Sequence, residues 1–412
     1  MHRYASWIHQ LRVGEGVSAI RDDTFRSLRA NSPVGGWFPA LQNLSWRITE
    51  ESHPYTDLFF SPGLKNISIW VSWDSRGPSG VLSTIASAIS ALPTSALRIL
   101  HVDGSYYEVR WVDFKASFSS IALRCGPSLA EFVTRAPLSD AAINHLIQLP
   151  YLHIWRVEDP PPRYSTSSLP LLFPPLVGFT LGKGAAGWFS LFKRLEGRVC
   201  PTQGMTPLSR MKGSLKYLSV NNNNLPGLAI DVSLTSLIQL FRNLVDLRVK
   251  VRCHDCYKEG GCSFKLNNDN VTEFAMALPR LEFLFLGRPC YENGCATTVA
   301  CLLPISVHCV KLRELEIHFN TTNIIDDLKN LSEDPRFQEL RSLPRCTLTC
   351  LHTYQMPLTL DEPDFETVAN GMIDIFPSIR SCDGLVKIWE EISKRIAEIQ
   401  ITRSLLVGHW WG

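Results

Sequence analysis

No apolar run in this 412-residue chain approaches the ~18 residues that a membrane-crossing helix needs. The opening residues, Met1-His2-Arg3-Tyr4-Ala5-Ser6-Trp7-Ile8, lack the apolar core of a secretory signal, so an intracellular location, cytoplasmic or nuclear, is expected. With no secretory route, the Asn-X-Ser/Thr triplets at Asn43, Asn66, Asn270, Asn320 and Asn330 read as chance occurrences. A single-sign charge block is also missing. The 41 basic and 39 acidic side chains leave a net charge of +2, which argues against nucleic acid as a partner. Catalytic signatures are absent too: no G-x-S-x-G elbow, no H-E-x-x-H pair and no phosphate-binding P-loop occurs. The expectation is a non-enzymatic chain with no catalytic residue, no cofactor and no assigned metal.

What the sequence has in abundance is one short phrase. An apolar residue is followed by two others, a second apolar residue, one other, and a third apolar residue. It appears as Leu41…Leu44…Trp46, Leu64…Ile67…Ile69, Leu97…Leu100…Val102 and Leu152…Trp155…Val157. It continues as Leu176…Phe179…Leu181, Leu215…Leu218…Val220, Leu244…Leu247…Val249, Leu281…Leu284…Leu286 and Leu312…Leu315…Ile317. Weaker copies stand at Ile8…Leu11…Val13, Leu129…Phe132, Leu348…Leu351 and Ile379…Cys382. Each phrase can form one strand that needs neighbours on both sides, which is the logic of a stacked-repeat protein.

The spacing between phrases runs from 23 residues (41 to 64) to 39 (176 to 215). Leucine-rich repeats recur every 20–29 residues or so, so the longer gaps predict insertions or extra helices. The full signature with its Asn occurs at Leu215-Lys216-Tyr217-Leu218-Ser219-Val220-Asn221, and its absence elsewhere predicts an irregular array. Between phrases lie helical segments ended by Pro. Ser139–Pro150 opens on a capping residue, with positions 142, 143, 146, 147 and 149 forming one apolar face. Asn268–Pro279, Thr297–Leu303 and Asp364–Pro377 repeat that design, while Leu385–Gln400 reads as a final helix with Ile388, Ile392, Ile396 and Ile399 together. Strand and helix in alternation imply a parallel sheet. The fold expected is α/β: an irregular leucine-rich-repeat solenoid, a horseshoe with a parallel concave sheet and outer helices. Residues 1–384 would form the solenoid and 385–412 a capping helix and tail.

Other patterns are weaker. Cys253, Cys256 and Cys262, with Cys290 and Cys295, suggest half a zinc site, but the second pair is too widely spaced and has no His beside it. Reduced thiols are favoured there, and Cys125, Cys301, Cys309 and Cys382 read as core residues. Gly182–Gly187 spells G-x-G-x-x-G after a strand phrase, yet it is followed by Trp188 and Phe189 and reads as a flexible strand exit. Glu314, Glu316 and His318 alternate along one strand and read as its polar face rather than a cation site.

Several stretches resemble the C-terminal half of a large group of mushroom-type fungal F-box proteins. They include Cys262–Leu266, Ala277–Gly287, Pro289-Cys290, Cys295–Val299, Ile305–Cys309, Leu315–Thr321, Asp334–Phe337 and Ile373–Pro377. The resemblance implies an N-terminal F-box that grips the linker subunit of an SCF-type ubiquitin ligase, followed by irregular leucine-rich repeats that present a target. Here Trp7–Val13 already reads as the first strand, so the repeat region is expected without its docking module. The linker subunit would then be a partner only through an F-box upstream. In a leucine-rich strand the residues between the apolar positions line the concave face. That row would hold Asn43, Ser45 and Arg47; Asn66, Ser68 and Trp70; His101 and Asp103; Arg156 and Glu158; Tyr217, Ser219 and Asn221; Asp246, Arg248 and Lys250; Phe283 and Phe285; and Glu314, Glu316 and His318. Aromatic and Arg side chains carry most interface energy, so Trp70, Arg156, Tyr217, Arg248 and Phe283 are the expected partner-binding residues. A protein target on that face is the main functional expectation. A repeat-only scaffold unconnected with ubiquitin, and more remotely a nucleotide-binding enzyme using Gly182–Gly187, are the alternatives.

Overall fold

The computed structural model describes residues 7–13, 22–32, 37–49, 52–71, 79–104, 111–158, 173–182, 185–196, 206–222, 240–251, 266–287, 296–341, 343–353, 364–383 and 387–408. All thirteen phrases become strands, and the strands follow chain order in one parallel sheet. The chain divides into two compact units, Met1–Thr180 with Leu195–Met211, and Leu181–Arg194 with Lys212–Gly412.

In the first unit the strands are β1 (Gln10–Val13), β2 (Asn43–Ile48), β3 (Asn66–Val71), β4 (Ile99–Gly104), β5 (Glu131–Thr134), β6 (Ile154–Val157) and β7 (Gly178–Leu181), whose last residue falls to the second unit. Alternate positions are buried and stack in register. Leu44, Ile67, Leu100, Phe132 and Trp155 form one row, and Trp46, Ile69, Val102 and Thr134 the next. Thr134 is the polar member, and its hydroxyl oxygen accepts the Ala136 amide at 3.0 Å. Burying one such Leu, Ile or Phe side chain contributes about 1.5–3 kcal/mol, and alternation puts all of that on one face. Among the helices are α1 (Asp22–Ala30), α2 (Ser79–Ser90), α3 (Lys115–Arg124) and α4 (Asp140–Ile147). α3 packs against both α2 and α4. α4 begins as its sequence predicts. Ser139 caps it by accepting the Ala142 amide at 3.3 Å, and Ala142, Ile143, Leu146, Ile147 and Leu149 are all buried.

The second unit holds β8 (Tyr217–Asn222), β9 (Asp246–Val251), β10 (Phe283–Leu286), β11 (Glu314–Glu316), β12 (Cys350–His352) and β13 (Ser381–Asp383). Its buried row is Leu218, Leu247, Leu284, Leu315, Leu351 and Cys382. The helices that follow α4 are α5 (Ala185–Glu196), α6 (Ser209–Ser214), α7 (Asn268–Ala277), α8 (Leu302–His308), α9 (Ile324–Glu333), α10 (Pro335–Arg341), α11 (Asp364–Ile375) and α12 (Lys387–Gly408). Asn267 and Asn270 close a reciprocal capping box at the start of α7. The final helix runs past its expected end, burying Trp389, Ile392 and Ile396. Ser393 Oγ of α12 bonds both the Cys382 amide (2.7 Å) and the Cys382 carbonyl (2.8 Å), which ties that helix to β13.

One backbone device recurs at the strand junctions from β1 to β7 and from β8 to β13. The carbonyl just ahead of a strand accepts two consecutive amides from the next strand's entrance. His9 O receives Gln42 N and Asn43 N, both at 3.0 Å, and Gln42 O receives Lys65 N (2.9 Å) and Asn66 N (3.0 Å). Lys65, Arg98, Ala130 and His153 carry it through to β7, and Lys216, Val245, Glu282, Arg313 and Thr349 repeat it from β8 to β13.

Two expectations are corrected. Pro304 was expected to end a helix over Thr297–Leu303. Instead Val299–Cys301 is a short 3-10 turn and Pro304 lies in the first turn of α8. A first-turn Pro forfeits no intrahelical bond, so it can start a helix as readily as follow one. His318 was expected on the polar face with Glu314 and Glu316. β11 stops at Glu316 and His318 is buried at 6% exposure, with the Thr297 hydroxyl donating to its carbonyl at 2.7 Å. The two-residue alternation ends with the strand, so it does not extend to position 318.

The cysteines expected in the core are there. Cys125, Cys301, Cys309 and Cys382 are buried, and burial pushes the Cys125 and Cys309 thiols up to about 12.

A stability test follows from Gly104, where a Cβ would meet the Val71 carbonyl oxygen at 2.6 Å. Gly104→Ala should destabilise the chain by about 1–3 kcal/mol in denaturant unfolding. Gly213→Ala, where a Cβ meets nothing within 4 Å, should not destabilise it.

Candidate functional site

The strand positions between the buried rows make a second, partly open face in each unit. In the first unit its rows read Asn43–Asn66–Ile99–Glu131–Ile154, then Ser45–Ser68–His101–Val133, then Arg47–Trp70–Asp103. Asn66 Nδ2 donates to Asn43 Oδ1, and Asn43 Nδ2 reaches the His9 carbonyl at 3.4 Å. His101 Nε2 meets Glu131 Oε2 at 2.8 Å across neighbouring strands. Asp103 is the hub. Its Oδ1 accepts from Arg135 Nε and its Oδ2 from Arg156 Nη1 at 2.8 Å, while Arg156 Nε donates to Glu158 Oε1 at 2.9 Å. Trp70, 43% exposed, stands beside Asp103 on the adjacent strand.

In the second unit the rows are Tyr217–Asp246–Phe283–Glu314–Cys350–Ser381 and Ser219–Arg248–Phe285–Glu316–His352–Asp383. Tyr217 is 49% exposed. Arg248 forks onto its strand neighbour Asp246, Nε to Oδ1 and Nη2 to Oδ2 both at 2.9 Å. Its guanidinium carbon lies 4.7 Å from the centre of the Phe285 ring, a cation–π contact. The hydrogen bond to Asp246 raises the Arg248 pKa above its ordinary value, so this cation is permanent. Phe285 in turn stacks on His352 at 6.2 Å and 26°.

The five expected binding residues therefore meet different fates. Trp70 and Tyr217 are open to solvent. Phe283 is half-buried between Asp246 and Glu314 in its row. Arg248 keeps 44% of its side chain exposed but is held in place by Asp246 and Phe285. Arg156 retains 15% and is clamped between Asp103 and Glu158. The Lys250 and Asn221 side chains lie outside the described residues, as do Lys183, Gly184, Cys253, Cys256, Cys262, Cys290 and Cys295.

Sequence reasoning missed Arg135, Glu131, Cys350, His352, Ser381 and Asp383. The last four were legible in principle, because they flank Leu351 and Cys382 in the two weaker C-terminal phrases. Applying the same alternation there puts them on the open face. The surface depressions around Arg345 and Arg403, and around Lys115 and Leu123, are lined by helix and loop residues rather than strand residues. Among the described residues no helix is long and apolar enough to cross a membrane. No protein-family model and no curated protein sequence matches the chain.

The clamp on Arg156 can be weighed directly. A double-mutant cycle of Asp103→Asn and Arg156→Gln, read by chemical denaturation, should show a coupling of about 1 kcal/mol that shrinks in high salt.

Proposed function

We propose that this chain is a non-enzymatic protein-binding module, an irregular leucine-rich-repeat solenoid whose open strand face receives a target protein. The observation that carries the reading is the in-register face itself. In the first unit an exposed Trp70 stands beside Asp103, and in the second an exposed Tyr217, a half-buried Phe283 and a held Arg248 stand beside Asp246 and Glu314. That composition, aromatic and Arg anchors within a polar surround, is what interface hot spots are made of. Pre-positioned side chains also lose little conformational freedom on binding. The repeated two-amide junction supports a stacked-repeat architecture.

The resemblance to fungal F-box proteins supports a narrower reading: the substrate-recognition part of an F-box-type ubiquitin-ligase adaptor, acting in the cytoplasm or nucleus. A repeat scaffold unconnected with ubiquitin uses the same face and differs only in what else is bound to the chain.

The test is affinity purification of the full chain against Trp70→Ala and Tyr217→Ala, singly and together. Target recovery should fall about tenfold or more while the unfolding midpoint stays unchanged. Recovery indifferent to both substitutions would remove the strand face as the binding surface. Recovery of the ligase linker subunit with a chain carrying an upstream F-box, and not with this chain alone, would select the adaptor reading over the scaffold.

A further inference from the structure

We propose that Cys350, His352 and Asp383, the ligand cluster found among the described residues, form a binding site for one divalent cation of the zinc class. The three side chains come from the open faces of β12 and β13, where parallel register sets His352 directly beside Asp383. Their donor atoms already form a tight triangle. Cys350 Sγ lies 3.1 Å from Asp383 Oδ2 and 3.8 Å from His352 Nδ1, and His352 Nδ1 lies 3.7 Å from Asp383 Oδ2. Tetrahedral zinc, with bonds of about 2.0–2.3 Å, separates its ligand atoms by about 3.3–3.8 Å. Two edges of the triangle match that spacing. The third needs to open by about half an ångström, and the Asp383 side chain, 53% exposed, is free to make that turn.

The donor set selects the ion. One sulfur, one imidazole nitrogen and one carboxylate oxygen suit zinc or cobalt and disfavour calcium and magnesium, which take oxygen ligands. On binding, the thiol proton now donated to Asp383 passes to solvent and the sulfur bonds the cation. The surroundings are arranged to hold the triangle. The Asp383 carbonyl accepts Thr353 N at 2.7 Å and Thr353 Oγ1 at 3.1 Å, and Ser393 fixes Cys382 from α12. Phe285 flanks the imidazole, and Glu314 and Glu316 occupy the matching register positions on β11, adding negative charge one strand away.

The site is independent of the protein-binding reading, and so is its test. The full chain, kept reduced with a phosphine, is titrated with Co²⁺ and then with Zn²⁺. One Co²⁺ per chain should bind with a thiolate-to-cobalt charge-transfer band of single-thiolate intensity, and Zn²⁺ should bleach it. Cys350→Ser should abolish the band. His352→Ala and Asp383→Asn should each weaken binding about tenfold or more, with circular dichroism unchanged. These two variants decide the matter if Cys350→Ser does not fold. The proposal is overturned if no band forms, or if the band survives in Cys350→Ser or keeps its affinity in the other two variants. A band lost instead in Cys253→Ser or Cys256→Ser would assign the cation to those cysteines.

Discussion

The structure depends on one carbonyl oxygen shared by two consecutive amides at the threshold of each strand. From His9 to His153 and again from Lys216 to Thr349, the same acceptor receives the same pair of donors. A parallel ladder has no hairpin turn to set its register, and this junction does that work instead. Each strand starts level with its predecessor, so buried residues stack on buried residues and open ones on open ones. A slip of one position would turn every apolar side chain outward. The leading apolar residues, from Leu41 through Ile379, are buried just ahead of their strands and anchor the chain at that threshold.

The open face inherits the same regularity. Because register does not drift within a unit, side chains many residues apart in sequence become neighbours. Arg156 reaches an Asp103 that is 53 residues earlier. Arg248 lies over Phe285, and Phe285 against His352. Some of these side chains are spent on one another. Arg156 and Asp103 satisfy each other, while Trp70 and Tyr217 point their surface at solvent. A face of this kind has parts held by their neighbours and parts left exposed to solvent.

The C-terminal end of the sheet is chemically different from the rest. The last two positions of the rows that begin with Tyr217 and Ser219 include a thiol, an imidazole and a carboxylate whose donor atoms lie within 4.8 Å of one another. Ser393 bridging the Cys382 backbone couples that corner to α12, so the final helix both covers the last strand and steadies the cluster.

The sequence by itself determined the strands and their two faces. The three-apolar phrase is a local pattern, and alternation along a strand is a property of covalent geometry. Hence all thirteen strands, the apolar face of α4 and the burial of Cys125, Cys301, Cys309 and Cys382, though not of Cys346, could be read from residue order. What only the tertiary structure decided is where each pattern stops and who meets whom. His318 continues the spacing of Glu314 and Glu316 but follows the end of β11, so it turns inward. Pro304 marks a helix start because a 3-10 turn leads directly into α8. The clamp on Arg156 and the Cys350–His352–Asp383 triangle depend on distances between strands, which are set by the parallel junctions and not by the spacing of residues along the chain.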